Sequence, residues 1–230
     1  MLKAMDQAIA ARVRARIEAE GDRFWRPDDF AALPARAVDR ALSRLAAENE
    51  LRHIRRGLYW RGHKSPFGMS RPAPEQTVAA VVGRVAVGPA SVSAANALGL
   101  SSQVSPVETI AVPVRPPMPF DTIRFVDRTS RHARLTEALT SREVALLEVL
   151  QDWGDLVELD APTAQSKIAR LLRGDLRPQS LARGARDEPP QVRERLRYLL
   201  EAAGELDARE FVAPARTPEQ RREALRALEN

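Results

Sequence analysis

One short stretch of the chain, residues 34–60, is rich in side chains that can bind nucleic acid. These are Arg36, Arg40, Ser43, Arg44, Arg55 and Arg56. A guanidinium group binds phosphate oxygens and forms two parallel hydrogen bonds with the edge of a guanine base. A serine hydroxyl adds a further hydrogen-bonding group. We therefore predict that this stretch contacts DNA, provided that the chain presents the six side chains on one surface.

The first four of these residues lie on a predicted helix that begins at Pro34. Val38, Leu42 and Leu45 recur at intervals of four and three residues, so they form one apolar stripe that faces a core. Proline is tolerated in the first turn of a helix, and Asn49 marks the predicted end. The arginines and Ser43 therefore project from the opposite side of the helix.

A two-stranded hairpin is predicted directly after this helix. Polar and apolar residues alternate from Leu51 to Arg55, and Gly57 can adopt the positive φ of a tight turn before the second strand. Arg55 and Arg56 then lie at the hairpin tip. A basic helix followed by a basic hairpin is the arrangement of a winged helix-turn-helix, in which the helix enters a major groove.

The same arginines also have a simpler interpretation. A charged helix face can be merely solvated, and a charged hairpin edge discourages pairing with another strand. The hairpin favours DNA binding, because it places more cations directly after the helix. We predict that the helix reads bases and that Arg55 and Arg56 hold phosphates. Asp39 would repel phosphate, so we predict that it pairs with a neighbouring arginine instead.

The distribution of charge predicts two domains in a chain of 230 residues. Residues 1–66 hold 14 Lys or Arg and 9 Asp or Glu, a net charge of +5. Residues 67–230 hold 22 of each and are neutral. We therefore assign DNA binding to residues 1–66. Residues 67–230 form the second domain, with a charged tail after about residue 204 that can form a helix.

The second half of the chain predicts a mixture of helices and short strands, so the fold class is α+β. Helices are predicted from Glu75 and over Ser91–Leu100, Thr140–Trp153, Pro162–Arg173 and Gln191–Ala203, with Arg193, Arg195 and Arg197 outward on the last. Strands are predicted over Thr109–Val114 and Thr122–Val126, and an extended piece over Val85–Val87 before a turn at Gly88-Pro89. Gly174 to Pro190 has few apolar residues and is predicted as a mobile loop.

Several kinds of chemistry lack the residues that they need. The chain has no cysteine, and its three histidines are scattered, so neither a disulfide nor a zinc site is expected. No signal peptide and no apolar run of roughly 18 to 20 residues is present. We expect a cytoplasmic protein that is not an enzyme, does not bind a membrane and carries no cofactor or metal.

Two segments could nevertheless be read as sites. Glu158, Asp160 and Lys167 resemble the carboxylate–lysine set of a nuclease, but their spacing is poor and acidic residues are common at helix starts. The segment from Gly88 to Gly99 could cradle a phosphate, yet it contains neither GxGxxG nor GK[ST]. A tight turn with close helix packing is the preferred account of that segment.

Four segments of the chain together resemble bacterial AbiEi-type antitoxins. They are DFAALP (Asp29 to Pro34), AVDRALSRL (Ala37 to Leu45), IRRGLYW (Ile54 to Trp60) and GPASVSAANALGLSSQV (Gly88 to Val104). The resemblance covers about residues 1–130 and implies an antitoxin of a type IV toxin–antitoxin system. Its winged helix would repress its own operon by binding double-stranded operator DNA, and its second domain would counter a nucleotidyltransferase-like toxin. We expect it to bind the operator as a homodimer or as cooperative monomers.

Two alternatives from other classes stay open. An ordinary winged-helix transcription regulator would sense a ligand with its C-terminal domain and would need a defined pocket there. A nuclease guided by a winged helix would need Glu158 and Asp160 to converge on a divalent cation.

Overall fold

A computed structural model describes residues 2–65, 68–120 and 122–229, without the side chains of residues 2–4 and 65. The chain divides into two compact units, Met1–Ala80 and Val81–Asn230. The first unit extends beyond the predicted DNA-binding domain, which was expected to end at residue 66. Residues 66 and 67, on either side of that predicted boundary, lie outside the described residues. Both units combine helices with small sheets, so the prediction of an α+β fold is confirmed.

The first unit begins with a long helix and contains two small antiparallel sheets. Its elements are α1 (Leu2–Glu20), β1 (Phe24–Trp25), a 3-10 helix (Pro27–Phe30), α2 (Ala35–Ala47), β2 (Arg52–Arg55), β3 (Leu58–Trp60), β4 (Lys64–Ser65), β5 (Gly68–Met69) and α3 (Pro74–Val82), which crosses the unit boundary. The first sheet has the order β1-β3-β2. Strands β4 and β5 form a second sheet of two antiparallel strands.

The apolar stripe predicted for α2 lies in the core of this unit. Val38, Leu42 and Leu45 are buried, and they belong to one cluster with residues of α1 spaced every four positions. The predicted turn between β2 and β3 is also confirmed, because Gly57 has a φ of 71°. The apolar side of α2 is therefore fixed against α1, and its opposite side faces solvent.

The second unit is mainly helical and contains one three-stranded sheet. Its elements are β6 (Gly88–Pro89), α4 (Ser91–Ala97), β7 (Glu108–Val112), β8 (Ile123–Asp127), α5 (His132–Thr136), α6 (Ser141–Gln151), α7 (Trp153–Leu156), α8 (Ala161–Arg173), α9 (Pro178–Gly184), a 3-10 helix (Ala185–Asp187), α10 (Pro190–Ala203), α11 (Leu206–Glu210) and α12 (Pro218–Glu229). In this sheet β6 is antiparallel to β7, and β7 is parallel to β8.

Helix α6 forms the centre of the second unit. It starts with a capping box, in which Thr140 N–H donates to the Glu143 carboxylate and Glu143 N–H donates to the Thr140 hydroxyl. Every residue from Glu143 to Leu150 is buried, so the helix is surrounded on all sides rather than on one face. Burial of the whole helix explains why its apolar residues run almost without interruption.

Three predictions for this unit are wrong. The supposed mobile loop at 174–190 contains α9 and a 3-10 helix, because Leu181, Ala182 and Ala185 supply enough apolar surface to join the core. The strand lies at Gly88-Pro89, where a turn was predicted, since Gly88 can lie directly against α6. The turn comes earlier, at Val85 and Ala86, where an extended piece was predicted. Arg195 is buried rather than outward, because carbonyl groups satisfy its guanidinium.

The segment after residue 204 is ordered and contributes to the core. Ala224 and Leu228 of α12 are buried, although the helix is otherwise highly charged. Arg195 of α10 donates to the carbonyl oxygens of Leu150 at 2.6 Å and Ala224 at 2.9 Å. A single buried arginine therefore joins the end of α6 to α12.

Candidate nucleic-acid interface

The outward side of α2 presents the four predicted residues together. Arg36, Arg40, Ser43 and Arg44 are all exposed, as their helical spacing requires. Within the described part of the chain, Arg36 and Arg44 take part in no ion pair. Unpaired exposed guanidinium groups are free to bind phosphate or base edges, so these two positions fit the prediction.

Arg40 differs from its two neighbours on the helix. Its Nη2 group donates to both carboxylate oxygens of Asp6 on α1, at 2.9 and 2.8 Å. The prediction that Asp39 would pair with an arginine is wrong, because Asp39 has no ion-pair partner among the described residues and Asp6 takes that role. Asp6 lies 34 positions before Arg40, which is why the local sequence pattern did not indicate it.

Ser43 is linked to the hairpin. Its hydroxyl and the Tyr59 hydroxyl share a hydrogen bond of 3.2 Å, and the Tyr59 ring lies 5.3 Å from the His53 ring. The bond joins α2 to strand β3 of the hairpin. Ser43 therefore has a positioning role, in addition to the base contact that the sequence predicts.

The hairpin tip carries the remaining two predicted residues. Arg55 and Arg56 are exposed and have no ion-pair partner in the ranges that the structure covers. By contrast, several arginines elsewhere in the first unit are paired, among them Arg14 with Glu50 at 3.0 Å and Arg16 with Glu20 at 2.5 Å. Much of the unneutralised positive charge of this unit therefore lies on α2 and the hairpin, where a polyanion would be attracted.

The three residues of the nuclease alternative each have a structural partner. The Glu158 carboxylate accepts from the Ser102 N–H at 2.6 Å and the Ser101 hydroxyl at 2.9 Å. Asp160 caps the start of α8, and Lys167 Nζ donates to the Gly99 carbonyl at 2.7 Å. No group of three or more His, Asp or Glu residues that could hold a metal ion occurs among the described residues.

Glu158→Gln is expected to lower the melting temperature at pH 7. The Ser102 N–H, and then side-chain hydrogen bonds from the same turn, lower the pKa of Glu158 from its ordinary value of 4.5 to about 2. Because the folded pKa is depressed, the stabilisation is present above pH 4.5 and is lost as the pH falls towards 2. Thermal unfolding followed by circular dichroism should show the difference from wild type shrinking over that interval. Glu219→Gln, in an exposed ion pair on α12, should melt like the wild type throughout.

A cluster of ion pairs is buried where β8, α5 and α6 meet. Arg134 Nη1 lies 2.7 Å from Glu148 Oε1, and Arg134 Nε lies 2.7 Å from Glu188 Oε1. Arg128 donates to both Glu148 oxygens at 2.8 Å. Burial alone would raise the pKa of Glu148, but the hydrogen bond and charges of Arg128 and Arg134 lower it below the ordinary value. The sequence pattern did not indicate this cluster, whose members come from four separate segments of the chain.

The second unit also has an open cleft of about 440 Å³ between α7 and α12. Its lining mixes apolar side chains, among them Trp153 and Val157, with the charged groups of Glu223 and Arg226 on α12. This is the feature relevant to the ligand-sensor alternative.

No helix in the described ranges has both the length and the apolar character needed to cross a membrane.

Comparison with known proteins gives no family for this chain. The sequence matches no protein-family model and no curated protein. Among solved structures, the chain is similar to the RV2827C protein from Mycobacterium tuberculosis. The two are 17% identical, the similarity covers 93% of this chain and 82% of that chain, and the TM-score is 0.47. At these values the likeness indicates neither a family nor a function.

Proposed function

We propose that the first unit is a winged helix-turn-helix that binds double-stranded DNA. The order of helix, strand, short helix, second helix and hairpin supports this proposal, and so does the antiparallel β1-β3-β2 sheet. In this arrangement α2 is the recognition helix that enters a major groove. The β2–β3 hairpin is the wing that contacts the phosphate backbone.

The observation that carries the proposal is the set of exposed, unneutralised arginines on these two elements. Arg36 and Arg44 lie on the outward side of α2, and Arg55 and Arg56 lie at the hairpin tip. The helix arginines would read guanine edges, and the hairpin arginines would hold phosphates without reading sequence. The Ser43–Tyr59 hydrogen bond would keep the helix and the wing in a fixed relation on the duplex.

The biological role that we propose is that of an antitoxin that represses its own operon. Support comes from the resemblance of four segments to AbiEi-type antitoxins. The second unit would counter a nucleotidyltransferase-like toxin encoded by a neighbouring gene, and the protein would act in the cytoplasm without catalysing a reaction. Operator binding as a homodimer is part of the same proposal.

Arg44→Ala is expected to weaken binding to the DNA upstream of its own gene by about 5- to 150-fold, the value of one bidentate base contact. Arg56→Ala should weaken binding to that DNA and to a random duplex alike. It should also reduce the slope of log affinity against log salt by about 0.9, for one lost phosphate contact. Mobility-shift titrations on both duplexes at several salt concentrations measure these quantities.

Arg142→Ala is the matched control, because Arg142 is an exposed arginine of the second unit and its loss changes the net charge equally. It should leave both affinities close to the wild-type values. Equal losses on promoter and random DNA for Arg44→Ala would contradict base reading by α2. Equal affinity of the wild type for the two duplexes would reject the proposal that the DNA upstream of the gene is its operator.

The antitoxin role has a separate test in cells. A full-length variant with Arg36, Arg44, Arg55 and Arg56 all changed to alanine should lose repression of a promoter fused to a reporter. It should still restore growth when the neighbouring gene is expressed, because the second unit is unchanged. Failure of both this variant and the wild type to restore growth would remove the antitoxin proposal and leave a DNA-binding regulator.

The open cleft between α7 and α12 favours one second candidate, a transcription regulator that senses a small molecule. Its mixture of apolar side chains and two charged residues suits an amphipathic metabolite. Ala227→Trp would fill the cleft and should abolish any release of DNA that a metabolite causes. A panel of metabolites that never changes DNA affinity or melting temperature would exclude this candidate.

A further inference from the structure

The centre of the outward side of α2 contains an arginine whose charge is already neutralised. Arg40 lies one turn from both Arg36 and Arg44, yet it alone of the three has an ion-pair partner within the described ranges, Asp6. The pair is partly exposed, with 57% of the Arg40 side chain and 34% of the Asp6 side chain accessible. Both groups therefore lie at the surface that would face DNA.

The geometry of the pair leaves most of the Arg40 donors unused. Only Nη2 donates to Asp6, and it does so to both carboxylate oxygens. Nε and Nη1 have no hydrogen-bond partner in the part of the chain that the structure describes. An arginine presents five N–H donors in a rigid plane, so the remaining donors can still reach an acceptor on a base.

We infer that Asp6 is a specificity-determining residue of this interface, because it forms with Arg40 a pair that has no net charge but still presents oriented hydrogen-bond donors. The inference rests on the proposed binding of DNA by α2. A neutral pair is attracted weakly to phosphate, which every duplex offers, but it retains donors for a guanine edge, which only some sequences offer. The carboxylate also restrains a long side chain that would otherwise lose rotamer freedom on binding.

Asp6→Asn tests both roles of Asp6, the neutralisation of the Arg40 charge and the restraint of the Arg40 side chain. The substitution keeps the shape of the side chain and removes its charge. Affinity for a random duplex should rise about 1.5- to 5-fold, the value of one exposed ion pair. The salt slope on that duplex should become steeper by about 0.9, since Arg40 is then free to bind a phosphate. Affinity for the promoter should fall about 2- to 10-fold, because Arg40 must be immobilised on binding.

The double variant Asp6→Asn/Arg40→Ala is the sharper test, since it keeps the net charge of the wild type. It should bind the random duplex with wild-type affinity and salt slope, but bind the promoter more weakly. Glu18→Gln is the control for charge alone. Glu18 is an exposed residue of α1 without an ion-pair partner in the described chain, so this change frees no arginine.

Fluorescence anisotropy with labelled promoter and random duplexes, over a range of salt, gives all these values. An Asp6→Asn variant that behaves like Glu18→Gln on both duplexes would overturn the inference. Equal wild-type affinity for the two duplexes would reject the proposed operator function instead. In that case the salt slope of Asp6→Asn on the random duplex would still show whether Asp6 neutralises Arg40. Absence of binding by every variant to either duplex would reject both.

Discussion

Replacement of Glu148 by alanine is expected to lower the free energy of unfolding of the second unit by about 3–5 kcal/mol. Glu148 is 3% exposed and accepts from both Arg128 and Arg134, and the Arg134 side chain is fully buried. Without Glu148, Arg134 retains only Glu188, and part of its charge is left in the interior without a partner. Hydrogen exchange of the α6 backbone amides measures the loss within this unit.

The matched control is an ion pair of similar length at the surface. Arg142 and Asp175 lie 2.8 Å apart, but their side chains are 46% and 58% exposed. Asp175→Ala should therefore cost no more than about 1 kcal/mol, the upper value for exposed pairs. If Glu148→Ala lowered the free energy of unfolding as little as Asp175→Ala, burial of the cluster would not increase its contribution to stability.

The cluster should also contribute to acid unfolding. The pKa of Glu148 is lowered in the folded protein, so its stabilisation is present above the ordinary glutamate value and is lost as the pH falls through the folded value. The unfolding free energy of the wild type should thus fall in acid more steeply than that of Glu148→Ala. Parallel pH profiles for the two proteins would contradict this assignment.

Apolar replacement tests whether the buried charges serve stability at all. Arg134→Met/Glu188→Leu removes both members of one pair, and it leaves Glu148 bonded to Arg128. It also removes the 3.6 Å contact of Glu188 with Arg131, which keeps its hydrogen bond to the Asp187 carbonyl oxygen. Since buried pairs are often replaced by apolar residues of similar size without loss, this variant should be more stable than Glu148→Ala. A greater loss in the double variant would show that the cluster specifies the local fold beyond its pairwise energies.

Elements whose core-facing residues repeat locally were predictable from the sequence. Val38, Leu42 and Leu45 define α2 without knowledge of any partner, and Gly57 defines the adjoining turn. The exposed positions of Arg36 and Arg44 then follow from helix geometry alone. The candidate interface is therefore mostly encoded within about 25 consecutive residues.

Features that depend on distant partners were not predictable in this way. Asp6 and Arg40 are 34 positions apart, and Arg134 and Glu188 are 54 positions apart, so no local period connects them. Arginine and glutamate are usually exposed, and Arg195 was accordingly predicted to point outward. Its burial depends on the carbonyl groups at the end of α6, whose position only the folded chain determines.

Helix α9 was missed for a related reason. Between residues 174 and 190 the sequence has few large apolar side chains, which is typical of a loop. The helix is nevertheless anchored, because Leu181, Ala182 and Ala185 enter the core shared with α6. Gly184 is buried too, and a methyl group there would lie 2.8 Å from Cδ1 of Leu139. Small residues allow this close packing. A scale based on side-chain hydrophobicity underestimates how much they contribute to a core.

Gly88→Ala is expected to destabilise the second unit by about 1–3 kcal/mol or more, because the core has no room for the added methyl group. That group would lie 2.5 Å from the carbonyl oxygen of Ser141 and 2.8 Å from Cβ of Val144. Ser141 O belongs to the backbone of α6, so relief requires the helix to move rather than a side chain to rotate. The close helix packing predicted for this segment is confirmed by these distances.

Gly154→Ala, at a second glycine of the same unit, is expected to have the opposite effect on stability. Gly154 lies in helix α7 and has no atom within 4 Å of the position of an added methyl group. Alanine in a helix is favoured over glycine by roughly 0.5–1 kcal/mol, so this variant should be slightly more stable than wild type. Hydrogen exchange of α6 amides should thus shift in opposite directions for the two variants. Destabilisation by both would point to a general intolerance of substitution, whereas neutrality of Gly88→Ala would show that β6 can move away from α6 at little cost.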